Sequence, residues 1–425
     1  MNHNTQPLLD TPKEWGGFGL ILLCVALLFW GMRYTQYQSY ITQDKQTISA
    51  LVLAQYPKKD YWVLKLKTDS SQILYTTSKE HLKNLQNRHI TIFGKPTKCS
   101  FIQSLKSCFF VTFSITLEPQ GSSVRHYLSS WIASQHQEAI YAELYETLFL
   151  AFHLPKEWRD LASKLQISHL IAISGLHLGI LLGVFVGIVG VPYRFLQQRY
   201  FTYRHRHFDL SFLGLLLLLG YLVVIDFQPS FLRAFAMSAL AIFLLYYNLR
   251  ILEYRFLFVC MAILLALFPF LAVSIGFWFS CAGVFLIIGI VRYFHLNRLG
   301  KLAQIVIYVL FFNAYLFLSM LPLSLFVFPI FSPWSILSIP LSIVFPAFFV
   351  LALFLHILGI GGVLDWGLEW MYQIVLDGSG VELPDWIFGI YLICFFASIR
   401  FAVAFWALPG LGLALWLYLS LEKLS

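Results

Sequence analysis

The chain has 425 residues, of which 59% are hydrophobic and only 12% charged, and its formal net charge is +8. A soluble domain is about half apolar and about a quarter charged, so this composition excludes a soluble protein and describes a polytopic α-helical membrane protein. The positive charge is unevenly spread, and its placement says more than its sum.

The first apolar run, Trp15 to Met32, is 18 residues long and bounded by aromatic residues. That length is enough to span a bilayer. No small-residue cleavage site follows it, so residues 1–32 read as a short amino terminus and a retained anchor rather than a signal peptide. Leu23 before Cys24 argues against a lipid-attachment site.

From residue 33 to about 125 the pattern changes. Apolar runs become short and alternating, at 48–55, 61–68, 72–77, 90–94 and 109–117. In YWVLKLKT (61–68), Trp62, Leu64 and Leu66 point one way and Lys65 and Lys67 the other, the period of a half-buried strand. KEHLKNLQN, between the third and fourth runs, reads as a short helix. Five strands with a helix between the third and fourth is the element order of an OB-fold, so an N-terminal OB-like β-barrel domain is expected here. Such barrels bind oligonucleotides or oligosaccharides along one face.

Segment 41–118 holds 11 Lys/Arg against 5 Asp/Glu. Lys58, Lys59, Lys65 and Lys67, interleaved with Tyr56, Tyr61, Trp62 and Tyr75, suit a single nucleic-acid strand through phosphate neutralisation and base stacking. The plain alternative is a solvated barrel with aromatic core residues. Cys99 and Cys108 are the two cysteines of this domain, and outside the cytoplasm a disulfide between them is expected. Cys24, Cys260, Cys281 and Cys394 lie in apolar runs and read as small buried hydrophobes.

Residues 126–164 are amphipathic, with Trp131, Ile132, Ile140, Leu144 and Leu148 near helical spacing and charges between them. This predicts a helix along the membrane surface. The hydrophobic body, 165–425, follows as runs near 165–191, 209–227, 229–247, 255–273, 275–291 and 302–321. Beyond them, 322–358 and 386–421 are broken by proline or glycine, and the number of crossings stays open.

Basic residues in short loops set orientation. The loop after the second span carries Arg194, Arg199, Arg204 and Arg206; that near 248–255 has Arg250 and Arg255; that near 292–301 has Arg292, Arg298 and Lys301. These loops lie two spans apart, so all three are cytoplasmic together. The amino terminus is then inside, the 33–164 region is extracytoplasmic, and the disulfide expectation holds. The acidic stretch 364–385 fits either face.

One span departs from its apolar surroundings. SHLIAISGLHLGILLG, residues 168–183, holds His169, Ser174, Gly175 and His177, and polar groups at membrane depth usually face a protein interior or a water-filled path. On an ideal helix the two histidines are roughly 80° apart around the axis and about two turns apart along it. A break at Ser174-Gly175 would change that geometry, and broken helices are tolerated where they line a cavity. The alternative is that both histidines hydrogen-bond to neighbouring helices and pack. Nearby, IDFQPSFLRAFAM adds Asp226, Pro229 and Arg233; the arginine either snorkels to the interface or offers its donors to phosphate, with Asp226 as a candidate partner.

Catalytic and metal readings find no support. HExxH, CxxC and G-x-x-x-x-G-K-[ST] are absent, and His205 and His207 lie in a basic loop, a poor place for a divalent cation. Ser174 has no G-x-S-x-G frame. No enzyme, cofactor or metal is expected.

HLIAISGLHLGIL resembles the signature that opens the competence domain of the ComEC family, the DNA-internalisation channel proteins of natural transformation. The matching positions are His169, Ala172, Ile173, Ser174, Gly175, Leu176, His177 and Gly179. PSFLRAFAM resembles that family's proline-to-Arg-Ala segment, through Pro229, Arg233 and Ala234. SIGFWFSCAGVFLI resembles a Phe-x-Leu-Ser-Phe segment, with Trp278 and Cys281 as departures. LPLSLFVFPIFSPWSILSIPLS resembles a later proline-rich segment in which Ser338 stands where the family has an asparagine. One anchor followed by an OB-like domain matches the family layout. Many members also carry a metallo-β-lactamase-like domain; here the chain stops at Ser425 with no His-x-His-x-Asp-His cluster, so no nuclease role is carried over.

The resemblance implies an inner-membrane channel that passes single-stranded DNA into the cytoplasm. His169, Ser174, Gly175, His177, Asp226 and Arg233 would line or shape its path. A polyanion crossing hydrocarbon needs its charge compensated, histidine is only marginally charged near neutrality, and weak sites allow transit. Implied partners are single-stranded DNA, membrane lipid, a periplasmic DNA-binding protein, a separate cytoplasmic ATPase motor and further copies of the chain. The competing expectation is a transporter or membrane enzyme for a small or lipid-linked substrate.

Overall fold

The computed structural model describes residues 11–58, 60–70, 72–79, 85–86, 88–118, 124–246, 253–295, 300–373 and 378–424. The chain divides into two units, one of Pro7–Tyr127 with Phe258–Trp278 and the other of Leu128–Leu257 with Phe279–Ser425.

The first unit opens with helix α1 (Pro12–Thr42), whose amino end is closed by a capping box between Thr11 and Glu14. Strands β1 (Gln46–Lys58), β2 (Tyr61–Thr68), β3 (Ile73–Ser78) and β4 (His89–Pro96), short helix α2 (Phe101–Lys106) and strand β5 (Cys108–Leu117) follow. The strands close into a barrel in the order β1-β2-β3-β5-β4, antiparallel except for β3 against β5. The alternating pattern translates directly into burial. Leu64, Leu66, Leu74, Ile90, Ile92 and Phe110 are fully buried, while Lys65 and Lys67 stay half-buried on the opposite side of β2. KEHLKNLQN lies mostly outside the described residues; the helix seen in this half of the barrel is α2, between β4 and β5. Cys99 and Cys108 are joined by a disulfide across the loop that carries it.

The anchor runs further than its apolar stretch. Helix α1 continues ten residues past the boundary expected at 32, because its polar end has partners. Tyr34 and Tyr37 pack edge-on against Phe101, the Tyr37 hydroxyl donates to the Cys99 carbonyl at 2.8 Å, and Tyr40 is buried in the barrel core.

The chain leaves this unit in α3 (Val124–Ala133). The second unit adds α4 (Ala139–Leu150), α5 (Lys156–Lys164), α6 (Ser168–Ile171), α7 (Gly175–Tyr200), α8 (Arg206–Val224) and α9 (Pro229–Tyr246). In chain order there follow α10 (Tyr254–Leu267), most of which belongs to the first unit, then α11 (Ile275–Tyr293), α12 (Lys301–Val327), β6 (Ile330–Phe331), α13 (Ser338–Ile357), α14 (Asp365–Gln373), β7 (Ser379–Gly380), α15 (Asp385–Ala397) and α16 (Ala402–Leu424). Among the described residues, eight helices are long and apolar enough to cross a membrane: α1, α7, α8, α9, α11, α12, α13 with the turn before it, and α16. The protein is a multi-pass helical membrane protein with a barrel domain.

Three expectations change. The run at 255–273 is not one span: α10 has 14 residues, about 21 Å, and the chain then turns through a 3-10 segment at Pro269–Val273. Segment 126–164 is not one surface helix but three short ones. Of these, α4 is largely buried, through Tyr141, Leu144, Tyr145, Leu148, Phe149 and Leu150, with Glu143 left exposed, because α13 supplies Phe345, Phe349 and Ala352 against it. The run at 165–191 is interrupted between Ile171 and Gly175.

Candidate functional site

The interruption separates α6 from α7 and is built by local chemistry. Ser174 adopts an extended conformation and caps α7, its hydroxyl accepting from the Leu176 N–H at 3.3 Å. The box closes in the other direction through His177, whose Nδ1 accepts from the Ser174 N–H at 3.2 Å. An accepting Nδ1 leaves the hydrogen on Nε2, so this ring is a neutral imidazole. It is fully buried, standing edge-on to Phe345 and Phe349 of α13 at 5.3 and 4.8 Å. His177 therefore shapes the break from within the protein.

His169 behaves differently. Its side chain is exposed at the protein surface and lies within hydrogen-bond reach of the Gln166 backbone. The two histidines of the motif do not share a face; the break turns one into the packing and leaves the other open.

Helix α9 supports the break from the side. Ser230 donates to the Ile173 carbonyl at 2.5 Å, and a Cβ at Gly175 would meet that of Ala234 at 3.4 Å, so glycine permits the close approach. Arg233, one residue away, is buried at 5% exposure beside Cys281 of α11. Asp226 is half-buried in the link between α8 and α9, where it and Phe227 both adopt left-handed backbone, at φ 54° and 50°. Non-glycine residues in that region cost of order 1–3 kcal/mol and cluster at functional sites.

A third such residue, Gln166 at φ 56°, was not singled out by the sequence. Its side chain accepts from Ser324 Oγ at 2.5 Å and donates to the Ile330 carbonyl at 3.2 Å, and its own carbonyl accepts from Ser338 Oγ at 3.4 Å. Ser335, fully buried, accepts from Trp416 Nε1 at 3.2 Å. These groups form a polar seam between the break and the segment 324–338. Its only sequence signal was the density of serines in an apolar, proline-rich stretch.

On the barrel, Lys65 of β2 pairs directly across with Tyr75 of β3. Burial lowers the Lys65 ammonium pKa and raises that of the Tyr75 hydroxyl, with Tyr56 near enough to add to the latter. Lys67 lies two residues on along the same side. Trp62 sits on the Leu64 and Leu66 side of β2 and does not join this group. Lys58 is exposed at the end of β1, and Lys59 lies outside the described residues. In the 194–206 region Arg194 and Arg199 are exposed, Arg206 is half-buried, and Arg204 pairs with Asp209 at 3.0 Å.

A family model described as Competence protein matches residues 151–419, more than half of the chain and the whole of the broken-helix site. Recombination protein 2 of Haemophilus influenzae is 29% identical over 131 residues, which are 31% of this chain and 16% of that protein. No solved structure matches.

Proposed function

The chain belongs to the Competence protein family, and from that premise we propose that it acts in DNA uptake as an inner-membrane channel, passing single-stranded DNA into the cytoplasm. The observation that carries this reading is the interrupted helix at Ala172–Ser174, which leaves His169 exposed beside the break while His177 turns into the packing. Irregular backbone of this kind is tolerated at membrane depth where it lines a cavity. Ser174 and His177 hold the break open, Gly175 brings α9 close, and Arg233 supplies buried positive charge within the same packing unit. The imidazole of His169, only marginally charged near neutrality, offers hydrogen bonds without the strong electrostatic grip that would stall a polyanion.

The barrel would receive the strand on its Lys65–Tyr75 face, and the arginines at 194–206 would meet it at the exit. In this reading a periplasmic DNA-binding protein delivers DNA, a separate cytoplasmic ATPase pulls it, and the chain itself performs no chemistry. Lipid surrounds the bundle, and further copies of the chain assemble with it. The basic loop at 194–206, one span beyond the barrel, and that near 248–255, two spans further on, support a cytoplasmic amino terminus and a periplasmic barrel, while the loop near 292–301 is separated from the latter by one full-length helix, α11, and adds nothing to that count.

The test is to delete the protein and follow fluorescent double-stranded DNA. Retention between the membranes supports the channel; normal entry into the cytoplasm refutes it. Within the site, Arg233→Ala should abolish most uptake while leaving protein abundance near wild type, and equal losses of both would assign Arg233 to folding instead.

One observation favours a second reading, a transporter or membrane enzyme for a small or lipid-linked substrate. A cavity of about 860 Å³ lies among Pro322, Glu382, Trp386, Tyr391, Leu415 and Tyr418, within the range of small-molecule sites. That reading predicts function without DNA.

A further inference from the structure

Away from the broken helix, the loop after α3 and helices α13 and α14 bring three ionisable side chains into one buried row. Both carboxylate oxygens of Asp365, the first residue of α14, lie 2.9 Å from His136 Nδ1. His136 Nε2 faces His356 Nε2 at 3.0 Å. His356 Nδ1 in turn lies 2.7 Å from the carbonyl oxygen of Ala352. The His136 side chain is wholly buried and that of Asp365 17% exposed; His356 is 4% exposed.

The row is tightly held. Tyr145 stacks on His136 with ring centroids 4.8 Å apart, and a Cβ on Gly361 would approach His356 Nε2 to 2.6 Å. Trp131 Nε1 and Gln135 Nε2 both donate to the His356 carbonyl at 3.2 Å, while Gln135 Oε1 accepts from the Gly361 N–H at 2.8 Å.

Counting protons settles the charge. A carbonyl and a carboxylate only accept, so His356 Nδ1 and His136 Nδ1 each carry a hydrogen. Neutral rings would then present two bare lone pairs to each other at 3.0 Å. A third proton between the Nε2 atoms converts that repulsion into an N–H···N hydrogen bond. Three protons on one carboxylate and two imidazoles give zero net charge, as burial demands. Shifting a proton onto Asp365 moves it along the row without changing the count. A zinc ion between the rings, at 2.0–2.1 Å from each nitrogen, would need an N–Zn–N angle of about 90°, well short of tetrahedral.

We propose that His136, His356 and Asp365 form a proton-binding site holding one proton beyond those of two neutral imidazoles, and that its release unlatches the C-terminal end of α13 from the corner between α3 and α4. The other titratable groups around the row are Tyr141 and Tyr145 of α4, Glu138 ahead of it, and Glu369 and Tyr372 of α14. Burial raises both α4 tyrosines, helped by nearby carboxylates, so neither competes for the proton near neutrality. The latch is independent of what the bundle transports.

Asp365→Asn separates the proton from the packing. An asparagine amide donates to His136 Nδ1, His136 Nε2–H then donates to His356, and all three hydrogen bonds survive without the extra proton. Hydrogen exchange of the backbone at 355–361, corrected for intrinsic rate, is followed in the full-length protein in detergent from about pH 6 to about pH 9, across the histidine range. Exchange in the wild type should climb with pH, by at most about tenfold per unit for one proton, and D365N should stay flat. Equal slopes, or a flat wild type, overturn the proposal. Should D365N fail to fold, nitrogen-15 histidine spectra of the wild type decide: a coupling between two imidazole nitrogens across a hydrogen bond supports the site, and its absence refutes it.

Discussion

Ser174 and His177 close a helix end with each other's donors and acceptors, which is why a polar pair survives in an otherwise apolar run. Removing the hydroxyl leaves a helix N–H without its acceptor. Ser174→Ala should therefore lower stability by about 1 kcal/mol, and Ser174→Gly by a few tenths; thermal unfolding of the purified protein in detergent measures both. The residues of this break were visible in the sequence because each is out of place among leucines and isoleucines. Their division of labour was not, since spacing cannot say which of two imidazoles turns inward. Gln166 escaped notice for the opposite reason: it follows the polar helix α5, where a glutamine is unremarkable, and only its left-handed backbone and its serine partners give it away. The same holds for His136, which meets His356 and Asp365 from more than 200 residues earlier in the chain.

At the scale of the element, period-two alternation is enough to locate strands, and β2 and β3 fall where alternation puts them. Their outward side pairs Lys65 with Tyr75 and carries Lys67 beside them. If this side holds a single strand, replacing both lysines by alanine should weaken binding and flatten the plot of log K against log salt by about 0.7 per lysine. Tyr75→Ala should cost about 1–3 kcal/mol for a stacked base. Fluorescence titration of the full-length protein with labelled single strands at several salt concentrations gives both values. Unchanged slopes would remove the DNA role from this face. Helix ends were harder to read than strands. The stop of α10 lies within a continuous apolar run, and the partner helix that buries α4 from the far side is α13, nearly 200 residues later.

For the molecule as a whole, composition alone announces a membrane bundle, and the proposed orientation of the barrel outside the cytoplasm can be tested. The disulfide between Cys99 and Cys108 turns that orientation into a measurement. A membrane-impermeant thiol reagent applied to intact spheroplasts should label these cysteines only after reduction; labelling that requires lysis would place the barrel in the cytoplasm. Losing the cross-link should destabilise the barrel by about 2–3 kcal/mol, the entropy of a loop of this size.

Helix α1 is continuous for 31 residues, from Pro12 to Thr42, about 46 Å against a hydrocarbon layer of about 30 Å. The excess is clamped to α2 by Tyr34 and Tyr37 and ends with Tyr40 inside the barrel. Mechanically this is a bracket and not a tether. The barrel has no swivel at the membrane, so it cannot sweep the space around it for a ligand. Whatever it binds must be brought to one height above the bilayer, and any pull on that ligand is felt directly by the anchor.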